Sequence, residues 1–127
     1  MPGPAPRRRV DPRRRLGNAG EDAVAAWYTA AGYRVIDRNW RCREGELDVV
    51  VAKADTLVFC EVKTRASTRF GAPVEAVTGA KQRRLRMLAA RWLAEHDVRR
   101  RTLRFDVASV MRSSDGQLAV EVLEDVL

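Results

Sequence analysis

Histidine is nearly absent from this chain of 127 residues: His96 is the only one. A Ser/His/Asp triad or a multi-histidine metal centre therefore has little to build on. Cysteine is scarce too. Cys42 and Cys60 are too few and too oddly spaced for a disulfide framework or a cysteine zinc site. They predict a reduced intracellular chain, in the cytoplasm. No apolar run approaches the length that crosses a bilayer, so no membrane partner is expected. The Arg-rich N-terminus has no apolar segment behind it and does not read as a secretory signal.

What the chain has in quantity is positive charge, unevenly placed. Its net charge is +7. Residues 1–16 hold six arginines against Asp11, a net +5, and residues 81–101 hold eight basic residues against Glu95 and Asp97, a net +6. The rest of the chain therefore sums to −4. A mildly acidic body framed by two basic segments favours a polyanion as partner, nucleic acid before membrane. The length suits one domain with a substantial core.

Residues 1–15, rich in Pro and Arg, are expected to be a disordered basic arm, with residues 16–127 as the folded domain. Leu16, Ala19, Ala23, Val24, Trp27, Tyr28 and Ala31 recur at helical steps and predict a helix over 17–31. Asn18 is its candidate cap, Glu21 and Asp22 suit its first turn, and Gly32 ends it. Tyr33 to Trp40 reads as a strand in which Ile36 breaks the alternation. Strands follow over 46–53 and 56–64, then a loop over 65–72 and a short helical piece opening at Pro73. Thr78 is the candidate cap of a second helix with the stripe Leu85, Leu88, Ala89, Trp92 and His96, fading near Asp97. Leu103, Phe105 and Val107 mark a fourth strand and Leu118, Val120 and Val122 a fifth, joined by a turn at Ser113-Ser114-Asp115-Gly116 with the Asp-Gly pair that type I′ hairpins favour. The predicted fold is α/β in the order αβββαββ: a mixed sheet flanked by helices, with a parallel pair around the second helix.

The stretch from Glu46 to Lys63 is the most informative. A two-residue turn at Ala54-Asp55 sets Lys53 opposite Thr56, Asp48 opposite Glu61 and Glu46 opposite Lys63. Opposed residues share a face. Glu46, Asp48, Glu61 and Lys63 would then lie together with Val50, Leu57 and Phe59, and Leu47, Val49, Val51, Val58, Cys60 and Val62 would line the other face. Opposed carboxylates repel unless positive charge sits between them. Lys63 supplies some, and a hard divalent cation such as magnesium would supply more. The competing arrangement is an exposed sheet edge laced with Glu–Lys pairs.

Asp48 followed by Glu61-Val62-Lys63 on the next strand resembles the PD-(D/E)XK nuclease signature, with Leu47 where that signature names proline. The wider run is more specific. Gly20-Glu21, Arg38-Asn39-Trp40-Arg41, Gly45-Glu46-Leu47-Asp48, Phe59 to Arg65, Phe70-Gly71 and Lys81 to Leu85 together resemble the small bacterial YraN-like family, over roughly residues 16–123. That group is similar in fold to archaeal Holliday-junction resolvases. The resemblance implies a restriction-endonuclease-like core and a magnesium- or manganese-dependent endonuclease that hydrolyses phosphodiester bonds of DNA, branched or otherwise structured. It implies Asp48 and Glu61 as metal ligands with the carbonyl of Val62, Lys63 as the catalytic residue that positions or activates the water and stabilises charge on the phosphate, and Glu21 as the extra acid of the resolvase-like branch. For Glu21, service to the helix dipole is the alternative. Arg65, Arg69, Lys81, Arg83 and Arg84 are placed to meet flanking phosphates, with Gln82 beside them. Resolvase relatives act as dimers on two-fold junctions, which makes a homodimer an expectation here. The alternative function is a nucleic-acid-binding module with the nuclease fold and no turnover. Asp106 is expected to be structural, and Trp27, Trp40 and Trp92 to belong to the core.

Overall fold

A computed structural model of the protein describes residues 12–65 and 79–126. The elements run α1 (Pro12–Ala30), β1 (Arg34–Cys42), β2 (Gly45–Lys53), β3 (Thr56–Arg65), α2 (Gly79–Glu95), β4 (Thr102–Arg112) and β5 (Leu118–Leu123). The predicted αβββαββ order holds. The five strands form one sheet in the order β1-β2-β3-β4-β5. β3 and β4 pair in parallel around α2, and the other neighbours are antiparallel, so the sheet is mixed. The expectations for Arg69, Phe70-Gly71, Pro73 and Thr78 lie outside the described residues.

Each helix covers one face of the sheet. Val24 and Tyr28 of α1 pack on Val49, Val51, Val58, Cys60, Ala108 and Val110. Leu85, Leu88, Ala89 and Trp92 of α2 pack on the opposite face, against Val50, Ala52, Leu57 and Phe59. The strand residues belonging to the two clusters alternate along β3, as they must in a strand buried on both sides. Trp92 is fully buried, and Trp27 and Trp40 are half-buried against the two clusters.

The first helix departs from expectation at its start. It begins at Pro12, not at residue 17. Proline suits the first helical position, where its missing N–H has no partner to lose, and arginine is a good helix former even without an apolar period. Asn18 is therefore an interior residue, and no acid lies in the first turn. Glu21 sits well inside the helix on the stripe it shares with Val24 and Tyr28, so dipole service does not account for it. The helix closes as expected at Gly32, at φ 92°, whose N–H donates to the carbonyl of Thr29 while Tyr33 N–H donates to that of Tyr28.

Ile36 breaks alternation because the β1–β2 register shifts between Val35 and Asp37, the signature of a bulge. The β4–β5 connection is not a type I′ turn. Only Gly116 has a positive φ, 84°, whereas type I′ needs two such residues. Ser113 N–H donates to Gln117 O at 2.8 Å, enclosing a three-residue loop that closes on the glycine.

Candidate active site

The β2–β3 hairpin has the register expected of its two-residue turn. Lys53 faces Thr56, Val51 faces Val58, and the pairing continues to Val49 and Cys60. There it stops, although β3 goes on pairing with β4 as far as Arg65 and Met111. Beyond Val49 and Cys60 the backbone N–H of Val62 donates instead to the carboxylate Oδ2 of Asp48, at 2.8 Å. A side chain thus takes the place of a ladder bond. Strict alternation fails at the same point: Leu47 joins the α2-side core with Val50 rather than the α1-side core with Val49. The expected pair of Glu46 with Lys63 does not form. Glu46 Oε2 forms an ion pair with Nε of its β1 neighbour Arg41, at 2.9 Å, and Lys63 Nζ lies 3.1 Å from Glu61 Oε1.

The end of this ladder opens into a cavity of about 350 Å³. Its acids are Glu21, Glu46, Asp48 and Glu61, its bases Lys63, Lys81 and Arg84, and Leu85 and Leu88 of α2 form an apolar side. Glu21 arrives from α1 and Lys81 and Arg84 from α2. Carboxylate oxygens of Glu21, Glu46 and Asp48 lie within 4.8 Å of one another. Glu61 is engaged otherwise, with Lys63 and, at 3.7 Å, with Lys81 Nζ.

The electrostatics of this group are strained. Burial pushes the Asp48 carboxyl up to about 7, against the pull of the Val62 N–H and with a further upward push from contact with Glu46. Burial raises Glu21 as well, partly offset by contact with Asn39. Glu21 is only 9% exposed, and its Oε2 has no hydrogen-bond partner. A buried carboxylate oxygen left bare is costly unless something positive meets it. For Lys63, burial works downward but contact with Lys81 and the charge of Glu61 outweigh it, so its ammonium is held more firmly than usual.

These residues fit a hard divalent cation. The donors are all oxygens, no sulfur or imidazole joins the group, and Glu21, a member of it, has a bare Oε2. Asp48, Glu61, Val62, Lys63, Glu21, Lys81 and Arg84, each singled out in the sequence, line the one cavity. Arg65 is half-buried at the end of β3, Gln82 is half-buried and Arg83 exposed on α2, and none of the three lines it. Sequence reasoning did not anticipate the contact of Asn39 with Glu21, which lowers the pKa of that acid. Its signal is conformational: Asn39 has a φ of 54°, which asparagine tolerates better than most residues.

Asp106 is structural, as expected. It is 1% exposed, accepts from Tyr28 Oη at 2.6 Å, and holds Arg104 through two bonds of 2.9 Å. Asp125 N–H completes the set at 3.0 Å. Among the described residues no helix is long and apolar enough to cross a membrane.

The family model for the uncharacterised protein family UPF0102 matches residues 20–110 of this chain. A UPF0102 protein of Frankia casuarinae is 57% identical over 106 residues, covering 84% of this chain and 90% of the relative. Another, of Beutenbergia cavernae, is 53% identical over 111 residues, covering 87% and 94%. The chain belongs to the UPF0102 family, the YraN family of its sequence resemblance.

Proposed function

We propose that this UPF0102 protein is a magnesium- or manganese-dependent endonuclease acting on the phosphodiester bonds of DNA, with branched or otherwise structured DNA as its substrate. The observation that carries the reading is the carboxylate of Glu21, buried with a bare Oε2 and grouped with that of Asp48, in a cavity that also holds Lys63. Glu21 and Asp48 would hold the cation, with Glu61 and the Val62 carbonyl on the β3 side. When bound, the cation supplies positive charge against the phosphate and makes water acidic enough to attack at neutral pH.

The chain's own residues do the rest. The Val62 N–H fixes the rotamer of Asp48 through its 2.8 Å bond. Lys63, kept protonated, is a donor for a non-bridging phosphate oxygen and not a general base. Glu61 orients that ammonium at 3.1 Å. Lys81 and Arg84, on the α2 side of the cavity, are set to meet neighbouring phosphates, which fix register without reading sequence. Arg65, at the end of β3, and Gln82 and Arg83, on α2, would add phosphate contacts outside the cavity, as would Arg69, which lies outside the described residues.

A panel of branched, flapped and single-stranded DNAs, incubated with Mg²⁺ or Mn²⁺, tests the reading. Cleavage that Asp48→Ala abolishes supports it. No cleavage with either metal, or undiminished cleavage by Asp48→Ala, overturns it.

One observation favours a second reading, a nucleic-acid-binding module without turnover. Glu61 is already neutralised by two lysines, Lys63 and Lys81. Under that reading DNA binding is salt-sensitive, persists in chelator and survives Glu61→Ala.

A further inference from the structure

Glu46 belongs to neither half of the D…E-x-K signature, and the sequence pairs it with Lys63. The structure gives it a different company. Its carboxylate lies within 4.8 Å of those of Glu21 and Asp48, whereas Glu61 is not part of that group. The acids alone would not make a site. The second observation is Glu21, nine-tenths buried, whose Oε2 meets no donor. Three carboxylates at this spacing repel one another, and the Arg41 guanidinium, paired with Glu46 at 2.9 Å from Nε to Oε2, offsets part of the repulsion from outside. That offset is a weak one. The Arg41 side chain is 63% exposed and that of Glu46 37%, and an ion pair so open to water contributes little. It can be exchanged at small cost for a stronger cation on the inner side.

We propose that Glu46 is a ligand of the divalent cation, on the same footing as Glu21 and Asp48, and that Arg41 is the positive charge that stands in for the cation at its outer edge. This rests on the metal-site reading above and adds a residue to it. Magnesium and manganese take an octahedron of oxygen donors in which water fills the places the protein leaves, so a carboxylate from β2 can occupy one of them. With a cation bound, Arg41 would be loosened from Glu46, and its guanidinium would remain at the β1–β2 edge.

Titration calorimetry of the full chain with MnCl₂, in the absence of DNA, tests the proposal. Glu46→Gln is expected to weaken Mn²⁺ binding by about tenfold or more, the scale on which metal-site partners act. Glu44→Gln removes an equal charge from the adjacent hairpin turn, where Glu44 pairs with Arg91, and is expected to stay within about twofold of the wild type. Arg41→Gln should tighten Mn²⁺ binding, and that gain should vanish in the Glu46→Gln background. The Arg41 variant also keeps the test alive if Glu46→Gln folds poorly. If the wild type binds Mn²⁺ and Glu46→Gln binds it within about twofold as well, the assignment of Glu46 falls while the nuclease reading stands. If the wild type takes up no Mn²⁺, both fall.

Discussion

Gly20 of α1 lies against Thr64 of β3 so closely that a Cβ on the glycine would overlap Thr64 Oγ1 and come within 3.1 Å of Thr64 Cβ and Cγ2. The helix can descend onto the strand only where it has no side chain. Glu21 is the next residue, and its depth in the cavity follows from that approach. Gly20→Ala is expected to lift α1 from β3, with a stability loss on the order of 1–3 kcal/mol typical of overpacking. Mn²⁺ binding should weaken with it, because Glu21 is withdrawn. Thr64→Ala in the same chain removes both Oγ1 and Cγ2 and should restore much of each loss. Thermal unfolding and metal calorimetry on the single and double variants check this. Gly20→Ala with wild-type metal affinity would show that the contact does not position the site.

Asp106 ties α1, β4 and the C-terminal segment together through Tyr28, Arg104 and the Asp125 N–H. Its side chain has no exposure at all, so cutting it back leaves Arg104, at 17% exposure, without its main partner. Asp106→Ala is expected to lower the unfolding free energy by about 3–5 kcal/mol. Tyr28→Phe deletes a single bond to a charged acceptor, and about 1.5–3 kcal/mol should go with it. Urea unfolding at neutral pH measures both. An Asp106→Ala loss no larger than that of Tyr28→Phe would argue that Arg104 contributes nothing.

The sequence carried the fold further than it carried the site. Register follows from turn length and alternation, which are local, so Lys53 opposite Thr56 was legible, and with it the burial of Val50, Leu57 and Phe59 on one face. Helix stripes are local too, and Leu85, Leu88, Ala89 and Trp92 appear as read. What escaped depends on events between elements. The ladder ends after Val49 and Cys60 because the Asp48 side chain captures the Val62 N–H, and no pattern of residue types encodes that exchange. The partner of Glu46 is then decided by β1, which offers Arg41, and not by β3. The start of α1 escaped for the opposite reason: arginines have helix propensity but no apolar period to announce it.

Lys63 lies 3.1 Å from Glu61, and its ammonium is held firmly. A donor that meets only the transition-state charge affects turnover and not metal uptake. Lys63→Met is expected to lower the cleavage rate by about 10²–10³, the scale on which single preorganised donors act. Mn²⁺ affinity should be unchanged or higher, since one positive charge has left the cavity. Single-turnover kinetics and calorimetry read the two effects separately. A loss of metal binding equal to the loss of rate would mean that Lys63 supports the acids instead of the phosphate.

Asp48 titrates at about 7 in the folded protein against an ordinary value of 3.8, and burial is the main cause. The sign of the consequence follows from which state holds the proton. Between these two values the folded chain binds more protons than the unfolded one, so stability is fullest below the ordinary value and falls as pH rises toward 7. The whole difference is on the order of 4 kcal/mol, at 1.36 kcal/mol per pH unit. In chelator, Asp48→Asn should therefore melt above the wild type at about pH 8, and the two should converge near pH 4, where both side chains are neutral. Mn²⁺ should raise the wild-type Tm at the higher pH and leave the variant nearly unmoved, because ligand bound to the folded state alone stabilises it. Calorimetric scans at the two pH values, with and without Mn²⁺, decide it. A gap between variant and wild type that is the same at both pH values would mean that the Asp48 charge is not the source of the strain, and the cavity would lose its strongest reason to attract a cation.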